Sequence, residues 1–75
     1  MNRFIQDRIN IFPQQFPGIV EKAITRDRPG RVKFKNSYWP ARLHQPDSPT
    51  EILPGQLVKV IGREGITLLI LPSSF

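Results

Sequence analysis

The chain contains no cysteine, so neither a disulfide nor a thiolate metal site can staple it. It has a single histidine, His44, which leaves little for acid–base catalysis. Long apolar runs are also missing. The longest, residues 66–71, is interrupted by Thr67 and is strand-sized, far short of the roughly 18 residues of a membrane-spanning helix. The N-terminus lacks the apolar stretch and small-residue cleavage site of a secretory signal. With neither export signal nor disulfides, the cytoplasm is the expected address, any membrane contact being made through a partner. Acidic side chains are scarce as well: six Asp and Glu stand against eleven Lys and Arg, a net charge of +5 that suits an anionic partner or plain solubility. At 75 residues there is room for one small domain. A chain of this size buries only about 60% of the surface it exposes when unfolded, so it has little length to spare for a catalytic cleft.

Turn-forming residues, by contrast, are plentiful. Eight prolines and five glycines divide the body into short pieces and leave no uninterrupted helical pattern there. Five β-rich runs emerge, at residues 19–25, 31–34, 37–43, 56–61 and 66–71. Short strands at this spacing point to an all-β barrel or sandwich.

Period-two alternation assigns faces. Val32 and Phe34 point one way, and Arg31, Lys33 and Lys35 the other. Trp39, Ala41 and Leu43 share a side opposite Tyr38, Pro40 and Arg42. A two-residue loop at 35–36 or 36–37 would put Val32, Phe34, Trp39 and Ala41 on one inner face, with Asn36 able to take the positive φ of a tight turn. Trp39 is then the expected main plug of the core. Pro40 cannot donate to a ladder and marks an edge or a bulge. Further on, residues 62–65 read as a turn that sets Val58 and Val60 against Ile66, Leu68 and Ile70. Leu57, Ile61, Leu69 and Leu71 fall on the opposite side, too apolar to be left bare. Either another part of the barrel, the N-terminal segment or a partner should cover them.

The first residues read differently. Phe4, Ile5, Arg8, Ile9 and Phe12 recur at helical spacing, with Asn2 placed to cap. An isolated helix of about ten residues is marginal in water. A frayed tail, a segment docked on the barrel, and a surface helix with only Arg3 and Arg8 as cations all remain open.

The ordered landmarks Gly18, Ala23, Pro29-Gly30, Val32-Lys33-Phe34, Trp39-Pro40-Ala41, Ile52, Gly55, Val58-Lys59-Val60, Gly65, Leu68 and Pro72 resemble the C-terminal domain of NfeD-like proteins. Asn36 stands where that family usually has a glycine in the hairpin turn. The resemblance implies a small five-stranded OB-like (Greek-key) barrel over 18–72, with an N-terminal extension over 1–17 and a tail over 73–75. It implies a non-catalytic interaction module whose partner is a stomatin- or prohibitin-like membrane scaffold protein. Membrane residence and proteolysis, which belong to the spanning helices and protease domain of larger members, are not expected to carry over.

Charge is concentrated. Residues 22–35 hold Lys22, Arg26, Arg28, Arg31, Lys33 and Lys35 against Asp27 alone, so this window carries the whole net charge. OB-folds use their second and third strands to bind oligonucleotides. A nucleic-acid surface of Arg26, Arg28, Arg31, Lys33, Lys35, Tyr38 and Arg42 is therefore the alternative to a protein-facing one. Single-strand binders also need stacking rings. Only Tyr38 shares the outward parity of the cations, which would leave binding weak and steeply salt-dependent. The second candidate surface is the apolar side of Leu57, Ile61, Leu69 and Leu71.

No metal, cofactor or catalytic group is expected. His44 has only Asp47 and Glu51 nearby, at a spacing that matches no ligand set. The serines lack a histidine on an ordered neighbouring element, and residues 62–65 lack the longer glycine loop, lysine and helix of a phosphate cradle.

Overall fold

A computed structural model describes residues 9–44 and 51–73. Phe4, Ile5 and Arg8 of the helical spacing, Asp47, and the last two residues of the tail lie outside the described residues. Five strands, β1 (Ile9–Lys22), β2 (Gly30–Phe34), β3 (Ser37–Leu43), β4 (Leu57–Glu64) and β5 (Thr67–Pro72), close into a barrel in the order β1-β2-β3-β5-β4. This is the OB-like architecture that the family resemblance implies. Every pairing is antiparallel except β3 with β5, two strands that β4 separates in sequence.

The β2–β3 hairpin turns through Lys35 (φ 51) and Asn36 (φ 65), both left-handed as a type I′ turn requires. The loop is thus at 35–36, and Val32 sits opposite Trp39 and Gly30 opposite Ala41. Paired residues alternate between hydrogen-bonded and non-hydrogen-bonded from the loop outward, which leaves Pro40, opposite Arg31, in a non-hydrogen-bonded pair. Its missing N–H points away from β2, on the side where β5 pairing starts only at Ala41.

The interior is aliphatic. Val20, Val32, Ala41, Val58, Val60 and Ile70 come from all five strands and are buried together. Trp39 is not the main plug. It is half-buried and packs on this cluster from one end, beside Phe12, Phe16 and Phe34.

Two local expectations are corrected. Residues 9–12 form strand, not helix: Ile9, Asn10 and Ile11 pair with Glu64, Arg63 and Gly62. Pro13 and Pro17 interrupt any helical ladder, and the edge of β4 supplies the hydrogen bonds that a short helix would have to find alone. Four residues, 12–15, then stand opposite the single Ile61, bending β1. The β4–β5 turn is likewise shorter than expected. Gly62 lies inside β4, and the loop is Gly65–Ile66, with positive φ at Gly65. Ile66 therefore occupies a loop position and is 68% exposed instead of facing the core.

Candidate interaction site

Closure of the barrel through β1 decides what the outer surface looks like. Ile19 of β1 pairs with Leu57 of β4 on one side and with Lys33 of β2 on the other, and Lys33 pairs with Tyr38 of β3. Directly opposed antiparallel residues share a face. Leu57, Ile19, Lys33 and Tyr38 therefore form one row across four strands, outside the barrel, while Val58, Gly18, Val20, Val32 and Trp39 occupy the inward positions alongside. Ile19 and Leu57 are each 47% exposed and Tyr38 58%. The next outer row is Pro17, Lys59 and Leu71. The basic hairpin and the apolar side, separate in sequence, are thus joined by one outer row that runs around the barrel.

The candidate cations do not act as one strip. Arg31 donates to Glu21 at 2.8 Å and Arg42 to Glu64 at 2.7 Å, so both are locally neutralised. Arg26 lies 3.8 Å from Asp27, an exposed pair of little energetic weight. Arg28 is held by its backbone, exchanging hydrogen bonds with Thr25 in the turn after β1. Lys35 stands with its ammonium 4.5 Å from the Phe16 ring centre and 5.4 Å from that of Phe34. That leaves Lys33 as the cation of the row, with no carboxylate paired to it among the described residues.

The apolar candidates also divide. Leu57 is exposed on the row and Leu71 is half-buried beside Lys59 on the same face, while Ile61 is half-buried at the irregular point of β4. Leu69 is fully buried at 0% exposure and so leaves the list of accessible residues. Its register neighbours are Arg42 and Gly62. Gly62 must lack a side chain because a Cβ there would stand 2.5 Å from the Asn10 carbonyl oxygen and 3.1 Å from the Ile11 side chain. The barrel's own N-terminal strand closes over this part of the face.

Three groups escaped sequence reading: Ile19, which links the two surfaces, and Phe12 and Phe16, which join Phe34 and Trp39 at one end of the barrel. The signal for Ile19 was present, since it alternates with the inward Gly18 and Val20. Phe12 and Phe16 were hidden by the helical spacing of the residues before them. Among the described residues no group of three or more His, Asp or Glu side chains gathers as a metal site.

What the face offers is apolar area, cationic tips and one phenol, which suit a complementary surface. The fold is a small OB-like barrel. The chain belongs to the family of NfeD-like C-terminal, partner-binding domains, whose model matches residues 17–72. Among the solved structures similar in fold are two such domains. One is the soluble domain of a membrane protein implicated in regulation of membrane protease activity from Corynebacterium glutamicum, at 24% identity, a TM-score of 0.67, and coverage of 77% of this chain and 87% of that one. The other is the C-terminal domain of stomatin operon partner protein 1510-C from Pyrococcus horikoshii, at 21% identity, a TM-score of 0.65, and coverage of 93% and 94%. No curated protein sequence matches the chain. Among the described residues no helix is long and apolar enough to cross a membrane.

Proposed function

We propose that this domain is a non-catalytic docking module that binds a stomatin- or prohibitin-like membrane scaffold protein on the cytoplasmic side, and that the Leu57–Ile19–Lys33–Tyr38 row is its contact face. The observation that carries the reading is the row itself: two aliphatic side chains and a tyrosine, about half exposed, aligned across four strands around one cation. The partner-binding character of the family supports it, as does the fold shared with a stomatin operon partner protein. Burying what remains exposed of Ile19, Leu57 and Tyr38 would each contribute about half of the roughly 1.5–3 kcal/mol of a fully buried large apolar side chain, and tyrosine is among the residues enriched where binding energy concentrates.

The test is a calorimetric titration of the soluble region of a stomatin-like scaffold with the wild-type domain and with Ile19→Glu and Tyr38→Ala. Each variant is expected to weaken binding by about tenfold or more, equivalent to about 1.4 kcal/mol, with the melting temperature little changed. Undiminished binding in both variants would refute the assigned face. Absence of binding by the wild type would refute the partner. Saturable shifts at Lys33 and Tyr38 on adding single-stranded oligonucleotide at low salt would move the face to nucleic acid.

A further inference from the structure

A second surface lies at the end of the barrel where the β2–β3 and β4–β5 loops meet. There the barrel wall is incomplete. Residues 9–11 and 16–18 of β1 pair with β4 only, because β2 pairing begins at Ile19. Residues 37–40 of β3 pair with β2 only, because β5 pairing begins at Ala41. The mouth between these two free edges is lined by Asn10, Phe12, Phe34, Trp39, Arg63 and Leu68.

Its aromatic wall is ordered. Phe12 meets Phe16 edge to face at 5.9 Å, and Phe16 meets Phe34 in the same way at 5.9 Å. These are the favourable geometries for aromatic pairs. Four of the five described aromatic residues stand here, in a chain whose buried core is otherwise aliphatic. The cavity holds about 190 Å³. Small-molecule sites run to about 300–1,000 Å³, so this space is scaled to one or two side chains.

Both flanking edges carry proline, Pro13 and Pro17 on β1 and Pro40 on β3. Proline on an open edge blocks the addition of another strand, including one from a second copy. The mouth therefore presents side chains, not a backbone template.

Its charge is one-sided. Arg63 is exposed at the rim and Lys35 stands over the Phe16 and Phe34 rings, and neither has a salt-bridge partner among the described residues. The described carboxylates are engaged or elsewhere. Glu64 holds Arg42 and Glu21 holds Arg31, while Asp27 and Glu51 belong to the far end, by the Thr25–Arg28 turn and the Ile24–Ile52 bridge.

We infer that this mouth receives a short acidic–apolar segment of a partner protein: an aliphatic or aromatic side chain enters among Phe12, Phe34 and Trp39, and a neighbouring Asp or Glu pairs with Arg63 and Lys35. The wall supplies apolar area, the cations select the sign of the segment, and the prolines exclude strand addition. The site is on the inward parity of the hairpin, opposite to Lys33 and Tyr38, so it stands independently of the outer-row reading.

The probe is a pair of blocked peptides, acetyl-Asp-Leu-Phe-Glu-amide and acetyl-Lys-Leu-Phe-Lys-amide, titrated into the isotope-labelled intact chain. The acidic peptide is expected to give saturable shifts at Phe12, Phe34, Arg63 and the Trp39 indole N–H. The basic peptide, and the acidic peptide with Arg63→Glu, should bind about tenfold or more weaker, the scale of one lost charge-assisted contact. Tyr38→Ala should leave the titration unchanged while weakening the scaffold complex, which separates the two sites. No saturation by about 1 mM, the threshold of weak binding, would overturn the proposal. So would shifts centred on Ile19 and Tyr38, equal response to both peptides, or saturable shifts at the mouth with phosphatidylglycerol vesicles but not with peptide.

Discussion

The Arg42 guanidinium and the Glu64 carboxylate meet at 2.7 Å across β5, joining two strands that do not pair with each other. Arg42 lies beside Leu69 in register and Glu64 beside Thr67, so the bridge crosses the outer face of β5 next to the buried Leu69. Both partners are partly shielded, with side chains 37% and 26% exposed, and charge-assisted contacts of this kind exceed ordinary surface pairs. Glu64→Gln is expected to destabilise the barrel by about 1 kcal/mol. In a domain of this size that lowers the melting temperature by about 4–8 °C. A double-mutant cycle with Arg42→Met isolates the pair; a coupling indistinguishable from zero would show that the bridge only decorates the surface.

Glycine at position 30 answers a different demand from glycine at 65. A Cβ on Gly30 would stand 2.2 Å from the Lys22 carbonyl oxygen and 2.3 Å from that of Ala23, both backbone atoms that cannot step aside. Gly65 needs its positive φ of 61 but faces open space. Gly30→Ala should cost upwards of about 2 kcal/mol through overpacking and displaced backbone. Gly65→Ala should cost about 1 kcal/mol, the conformational penalty alone. Denaturant midpoints measure both, and equal losses would contradict the distinction.

The β2–β3 turn has room for improvement. Asn36 sits at φ 65 and glycine adopts that region without a Cβ penalty. Asn-Gly and Asp-Gly lead the preferences for type I′ turns because they tolerate positive φ at both centres. Asn36→Gly should therefore raise stability by a few tenths to about 1 kcal/mol, and Asn36→Val should lower it by at least as much. Thermal melts of the pair decide the matter: a Val variant as stable as wild type would mean the turn does not hold the register.

That hairpin was also the most legible part of the chain, because turn chemistry and alternation in residues 31–43 agree without help from elsewhere. Val58 and Val60 were legible for the same reason. The first half of β1 was not. The spacing of Phe4, Ile5, Ile9 and Phe12 satisfies a helix locally, whereas the strand forms because β4 offers an edge far away in sequence. Leu69 reads as an outward residue from its parity and is correctly placed on that face. It is flanked in register by Arg42 and Gly62, and Gly62 in turn by Ile11, residues that only the closed topology gathers. The outer row was hidden for a related reason: Lys33, Tyr38 and Leu57 were visible singly, but the link through Ile19 requires knowing that β1 lies between β2 and β4. Local pattern assigns parity; neighbours across the barrel assign exposure and function.

The same distinction sets the relative weight of Trp39 and Ile70 in stability. Sequence makes the tryptophan the obvious plug, yet it is half-buried at the mouth, whereas Ile70 is fully buried at the centre between Val60 and Leu43. Truncating a buried isoleucine leaves a cavity that water cannot usefully fill, at a cost of about 2–5 kcal/mol. Truncating Trp39 widens a groove that is already open to solvent, so the cavity penalty is largely absent and the loss falls below the about 3–5 kcal/mol of a fully buried aromatic. At about 0.05–0.15 kcal/mol per residue, a domain this small has only about 4–11 kcal/mol to lose. Ile70→Ala is therefore expected to remove a large share of the stability and to lower the melting midpoint steeply. Trp39→Ala should keep a cooperative melt and a folded spectrum while losing the peptide response at the mouth. Measured side by side by calorimetry, a lower midpoint for Trp39→Ala than for Ile70→Ala would return the indole to the centre of the core and take the open mouth away with it.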